Sequence, residues 1–259
     1  MRAALRRAAR ISAFAAMTPS MLAAYAVDDF IRHLDERERR ALRDAWFGAW
    51  CAGMLRVFGL RVVALGNPAT TGAERGRLVV SNHRGVADVL VLLRAFGGVM
   101  VSRADIARWP VIGTAGKKLG TVFVDRSDVR SGAATVRAMR DLLRSGETVS
   151  IFPEGTTFAG DEVRPFHAGG LAAVHGTGAD VVPVGLAYSR RSQAAFLDET
   201  FPAHLSRMAA APPSFVAMSV GDPVALPAGA RSKAAAELAR EAVAREVARA
   251  RAAADREDG

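Results

Sequence analysis

Within VVSNHRGVADVLVLL (residues 79–93), an imidazole and a carboxylate stand at the joint of two apolar runs. His83 and Asp88 are five positions apart, and on one regular helix such residues point about 140° away from each other. They meet only where His83 lies in a loop and Asp88 in the first turn of the helix that follows. The flanking residues agree with that arrangement. A β-rich run ends at Ser81, and helical spacing begins near Val86. There the carboxylate can hold one ring nitrogen and leave the other as a base toward a bound hydroxyl. The pair alone has an ordinary alternative, an aspartate capping a helix beside a surface histidine.

A second constellation sits in VSIFPEGTTFAGDEVRPFHAGG (149–170). Pro153 ends a strand, and Gly155 permits positive φ or close approach to a ligand. The backbone amides of this turn can serve a developing oxyanion or a phosphate. Glu154 needs partners wherever it sits: it either binds a substrate hydroxyl or fixes a neighbouring loop. The plain alternative is a turn whose glutamate caps the next helix.

The elements that must position these groups alternate in type. β-rich runs occupy 77–81, 98–102, 121–124, 148–152, 181–188 and 214–220, with helical stretches such as VADVLVLLRAF and RSGAATVRAMRDLLRSG between them. This predicts an α/β fold with a largely parallel central sheet flanked by helices. The alanine-rich, turn-free 231–259 predicts a long C-terminal helix. Residues 189–213 read as a loop or broken helix. The expected division is a helical region at 1–66, a catalytic domain at 67–230 and the terminal helix at 231–259.

Four motifs, Asn82-His83 with Asp88, GTVFVDR (120–126), FPEGTT (152–157) and VVPVGL (181–186), stand in the order and spacing of the glycerolipid acyltransferases. Over roughly residues 75–190 the chain resembles the 1-acylglycerol-3-phosphate (lysophosphatidate) acyltransferase family. The resemblance implies that His83 and Asp88 are the catalytic dyad and that Arg126 contacts the acceptor's phosphate. It implies acceptor binding by Asn82, Glu154, Gly155, Thr156 and Thr157, and a site shaped by Val182 and Pro183. It also implies a lysolipid acceptor and an acyl-CoA or acyl-carrier-protein donor, with no cofactor or metal. One departure matters: the family's third motif usually continues with arginine where this chain has Thr157. A threonine is no bidentate phosphate ligand. Lys117, Lys118 and Arg164 are candidates to supply the charge. The Thr-Thr form is similar to members that acylate lyso-ornithine lipids, so that acceptor competes with lysophosphatidate.

Other chemistries find less support. Gly116-Lys117 would need a glycine at 111 for a phosphate-binding loop, and Val111 stands there. No GxSxG elbow occurs. His167 and His175 lack a carboxylate partner set for a metal. With Cys51 the only cysteine, no internal disulfide can form. The formal charge of +9 at a pI near 10.9 suits an anionic partner, yet no helix-turn-helix or aromatic-basic platform points to nucleic acid.

The amino terminus suits a membrane surface better. MRAALRRAAR carries four arginines, and 17 uncharged residues (11–27) follow. Pro19, with the hydroxyls of Ser12, Thr18 and Ser20, weakens that segment as a span of roughly 26 Å. A secretory signal ending near AYA (24–26), a short span and a surface-lying helix compete; the arginines favour the last, facing anionic headgroups. Trp46, Trp50, Met54 and Phe58 then recur every four residues. They extend the expectation to an interfacial helical hairpin at the cytoplasmic face of the inner membrane, against a buried core helix as the common meaning of such spacing. A non-catalytic lipid- or carrier-binding protein is the alternative from another class, but a pure binder has no need of a base.

Overall fold

The computed structural model describes residues 1–68, 75–125, 127–227 and 232–259. In chain order the elements are α1 (Arg2–Ile31), α2 (Glu36–Val57), β1 (Leu60–Leu65), β2 (Arg77–Ser81), α3 (Val86–Phe96), β3 (Val99–Arg103), a 3-10 turn (Ala104–Arg108), α4 (Ile112–Leu119), β4 (Val122–Val124), α5 (Val129–Arg144), β5 (Thr148–Ile151), α6 (Ala168–Leu171), a second 3-10 turn (Ala172–Val174), β6 (Asp180–Tyr188), α7 (Phe201–Ala210), β7 (Ser214–Val220) and α8 (Ser232–Asp258). The strands expected from the sequence form within one residue of their expected ends. Together with β1 they build one seven-stranded sheet of order β1-β7-β6-β2-β5-β3-β4. Strands β2 to β6 are mutually parallel, whereas β7 runs antiparallel to β6 and carries β1 parallel beside it. The carboxyl ends of β2, β3, β4, β5 and β6 therefore share one edge, where open α/β sheets bind ligands.

Both faces are covered, which is why the central strands read as apolar runs rather than alternating ones. Val79 of β2 and Val182, Val184, Leu186 and Tyr188 of β6 face a layer built from α1, α2, α3 and α7. Leu78, Val80, Val149 and Val181 face the opposite layer of α5 and α8. Successive strand residues point to opposite faces, so the even-numbered positions of β6 carry Tyr188 to the active edge on the same side as α3.

The amino-terminal half departs from the sequence expectation. β1 lies inside the stretch assigned to a helical region, as a strand of the sheet. Asp35 and Glu38 form a capping box at the start of α2, whose Phe47, Cys51, Met54 and Leu55 are buried in the core, with Phe58 just beyond it. Trp46 and Trp50 are half-buried and donate their indole N–H groups to Asp28 (2.9 Å) and Thr18 (3.2 Å) of α1. The tryptophan stripe thus joins α2 to α1 in a helical hairpin, while the neighbouring Phe47, Cys51, Met54 and Leu55 enter the core. Two of the four amino-terminal arginines are also engaged. Arg6 donates to the carbonyl of Ala210, and Arg10 donates to those of Met208, Ala209 and Ala211, satisfying the orphan carbonyls where α7 ends. Arg2 and Arg7 stay exposed. Among the described residues, no helix is long and apolar enough to cross a membrane. In the 189–213 stretch, Thr200 caps the ten-residue helix α7 and Pro202 sits in its first turn, where proline is tolerated.

Candidate active site

The dyad is built by the strand-to-helix corner after β2. Asn82 closes the strand by pairing with the backbone of β6: its Nδ2 donates to Leu186 O (2.9 Å) and its Oδ1 accepts from Leu186 N (2.8 Å). It is fully buried. Asn82 is thus a clamp between β2 and β6, its buried amide paired with the Leu186 backbone. The chain then turns through Arg84 and Gly85. A Cβ at Gly85 would lie 2.2 Å from the carbonyl oxygen of Ala194, so only glycine lets the 194–196 strap close over this corner.

Asp88, third residue of α3, points back to the corner. Its Oδ2 lies 2.8 Å from His83 Nδ1 and accepts from the backbone N–H groups of Arg84 (2.5 Å) and Gly85 (2.8 Å). Its Oδ1 accepts from the Tyr188 hydroxyl at 2.5 Å. A carboxylate acceptor assigns the imidazole proton to Nδ1 and leaves Nε2 as the acceptor. His83 is 21% exposed whereas Asp88 is fully enclosed, and among the described residues Nε2 has no partner. The ring stacks on Phe152 at 4.0 Å and 9°, which fixes its plane. An oriented imidazole with one tethered and one open nitrogen can accept a proton from a hydroxyl.

The Pro-Glu-Gly turn lies directly beside it. Glu154 Oε2 accepts from His83 N (2.7 Å) and Arg84 Nη1 (2.9 Å), while Oε1 accepts from Arg164 N (3.0 Å). Its side chain has no exposed surface. The sequence leaves two uses open for this glutamate, and these bonds match the loop-fixing one. Gly155 adopts φ +85° and donates its N–H to Phe152 O at 3.1 Å, which closes the turn. Thr156 is exposed and Thr157 half-buried. Their amides and hydroxyls make no hydrogen bond to protein among the described residues. Phe158, next in the chain, donates its N–H to His83 O at 3.1 Å, so both threonines flank the dyad as free donors.

Among the cations, Arg126 lies outside the described residues; its neighbour Asp125 directly follows β4. Arg164 sits at the site, its backbone held by Glu154 and its guanidinium 5.2 Å over the Phe158 ring. Its remaining contact is a 3.5 Å pair with the exposed Glu162. Lys117 and Lys118 close α4 just before β4 begins, so they lie at the opposite edge of the sheet. Val182 and Pro183 lie in the middle of β6, paired with Val79 and Val80, and support the sheet from below the site.

Three further residues build the site, Phe152 from the FPEGTT motif and Arg84 and Tyr188 with no signal in the sequence. Arg84 is buried and braces the corner, donating to Glu154, His83 O (2.9 Å) and Glu162 O (2.6 Å). Phe152 backs the imidazole. Tyr188 is raised well above the ordinary phenol range by burial and then by the Asp88 charge, so it stays a neutral donor. Behind the corner, Phe196 N donates to Arg84 O at 2.7 Å. Arg207 fixes that strap through Gln193 O and Ala195 O (both 2.7 Å) and through Glu199. Arg207 holds the Glu199 carboxyl down to about 2. Burial depresses His204 below its ordinary value. Cys51 is no nucleophile: burial pushes its thiol up to about 12.

The segment that carries this corner is similar to known proteins. The acyltransferase family model matches residues 62–187. The 1-acyl-sn-glycerol-3-phosphate acyltransferase of Neisseria gonorrhoeae is 31% identical over 57% of this chain and 65% of its own length. The lyso-ornithine lipid O-acyltransferase of Pseudomonas aeruginosa is 31% identical over 66% of this chain and 64% of its own. The chain thus spans just under two thirds of the length of these relatives. The crystal structure of the 1-acyl-sn-glycerophosphate acyltransferase of Thermotoga maritima superposes with a TM-score of 0.78 over 97% of this chain and 98% of that one, at 19% identity, and so shares its fold. The sheet edge that holds His83 and Asp88 lies inside the segment, residues 62–187, that matches the acyltransferase family model.

Proposed function

We propose that the protein transfers a fatty acyl group from a thioester, acyl-CoA or acyl-carrier protein, to the free hydroxyl of a lysolipid. The observation that carries this reading is the 2.8 Å contact between His83 and a fully buried Asp88, with Nε2 open at the active edge. Nε2 takes the hydroxyl proton as the acceptor oxygen attacks the thioester carbonyl. The tetrahedral intermediate then breaks its C–S bond, and the imidazolium returns the proton to the leaving thiolate. Asp88 holds the tautomer and stabilises the imidazolium. Proton transfer of this kind supplies about 10²–10⁴-fold; orientation and the free donors of Thr156 and Thr157 must supply the rest.

1-Acyl-sn-glycerol-3-phosphate is the preferred acceptor of this reading, giving phosphatidic acid in phospholipid biosynthesis. In this reading Arg164, held by Glu154 beside the dyad, meets its phosphate, and Arg126 is expected to join it. A lyso-ornithine lipid is the second reading, favoured by Thr157 standing where the related motif carries arginine. α1 is proposed to rest on the anionic cytoplasmic leaflet. Exposed Leu5, Val27, Phe30 and Ile31 lie on its outer side with Arg2, and residues 11–27 carry no charge. Purified protein given a labelled acyl thioester with both lysolipids in vesicles should acylate lysophosphatidate faster. Faster acylation of the lyso-ornithine lipid would select the second reading, and release of no thiol with either would remove both.

A further inference from the structure

Tyr188 stands outside the motifs that define the family resemblance, yet it makes the only contact to the second oxygen of Asp88 among the described residues. Its hydroxyl reaches Oδ1 at 2.5 Å, and both side chains are buried, Tyr188 at 6% exposure and Asp88 at 0%. The strand delivers it there by alternation: Val182, Val184, Leu186 and Tyr188 share the face that packs on α3. Its backbone is fixed as well, since Arg251 of α8 donates to Tyr188 O at 2.8 Å.

A hydrogen bond to a charged acceptor is short and strong in a dry site. The phenol therefore withdraws part of the negative charge that Asp88 would otherwise present to the imidazole on its other oxygen. We propose that Tyr188 is a positioning residue that sets the basicity of His83 by sharing the charge of Asp88. The proposal rests on His83 acting as the base. Removing the hydroxyl leaves a more concentrated carboxylate charge, which favours the imidazolium, so His83 loses its proton only at higher pH. Other groups face the pair: Arg84 of the corner, Glu154 of the turn after β5, His204 of α7 with its partners Glu199 and Arg207, and Arg251 of α8. None changes when only the Tyr188 hydroxyl is altered, so the sign of the shift belongs to that bond.

The test uses Tyr188→Phe and a second protein in which the bond is strengthened. The chain has two tyrosines, so 3-fluorotyrosine incorporated into a Tyr25→Phe background labels Tyr188 alone, with a more acidic phenol. The pH dependence of kcat/KM and the NMR titration of His83 are measured for each. Tyr188→Phe should move the acid limb and the His83 titration up by about 0.5–1 pH unit, a three- to tenfold loss of rate below the limb, with the alkaline plateau retained. The fluorinated protein should move both in the opposite direction. It keeps the Tyr188 hydroxyl, so, read against Tyr25→Phe with ordinary tyrosine, it carries the test if Tyr188→Phe folds poorly. A limb and a titration that stay fixed in the fluorinated protein would overturn the proposal, as would a plateau that falls in Tyr188→Phe while the limb stays put. A wild-type profile with no acid limb would remove His83 as the base, while the NMR titration would still decide whether Tyr188 controls it.

Discussion

Glu154→Gln separates two roles for the residue at the centre of the Pro-Glu-Gly turn. The substitution keeps the shape and removes the charge. In the native site the carboxylate accepts from His83 N, Arg84 Nη1 and Arg164 N, and the Arg84 and Glu154 side chains are 3% and 0% exposed. A neutral amide there would leave Arg84 as a buried cation without its counter-ion, and would turn its own N–H₂ toward one set of donors. Breaking a buried pair from one side costs about 3–5 kcal/mol, a large part of the roughly 5–15 kcal/mol that ordinarily holds a domain together. With an m-value of about 3 kcal/mol/M, the urea midpoint should fall by roughly 1–1.7 M. Because the lost bonds hold the His83 loop, kcat should fall while the KM for the lysolipid changes little. Urea unfolding followed by fluorescence, together with steady-state kinetics varied in acceptor, reads both quantities. An unchanged midpoint with a raised acceptor KM and normal kcat would refute the reasoning and return Glu154 to the acceptor.

The remaining predictions concern the strap and the headgroup. Gly85→Ala places a Cβ 2.2 Å from Ala194 O; the displaced backbone should cost about 1–3 kcal/mol and lower kcat, and wild-type stability and rate would contradict the close approach. Arg164→Ala should raise the acceptor KM about tenfold or more, the weight of one charge-assisted hydrogen bond, with the thioester KM unchanged; an unmoved acceptor KM would take Arg164 out of the headgroup site. Glu199 has its folded value depressed from 4.5 to about 2, so its stabilisation is complete above pH 4.5 and is lost as pH falls toward 2. The stability gap between wild type and Glu199→Gln should therefore be largest above pH 4.5 and close on acidification, and a gap that widens in acid would reverse the assignment.

The residues announced the sheet because its central strands are buried on both faces and read as apolar runs, and they announced the corner because a histidine and an aspartate interrupt such runs. What they left illegible is long-range. LRVVAL (60–65) becomes a strand only by pairing with Ser214–Ser219, a partner no local pattern names. The Trp46 and Trp50 spacing does not reveal that Asp28 and Thr18 of α1 receive their indole N–H groups. Paired prolines in 189–213 masked α7, although Thr200 and Pro202 are legible in hindsight as a cap and first turn. Asn82 and Glu154 stand in motifs that the resemblance ties to the acceptor, and sequence cannot reveal that Leu186, Arg84, Arg164 and the His83 backbone pair with their polar atoms. Tyr188 was hidden in an ordinary strand, its meaning set by the alternation that turns it toward α3.

The most direct test of the account is the rate of thiol release from an acyl thioester by His83→Ala in the presence of lysolipid vesicles. The open Nε2 predicts a loss of about 10²-fold or more, in a protein whose unfolding midpoint stays near that of the wild type. Thiol release at near-normal rate by folded His83→Ala would contradict the claim that this imidazole is the base.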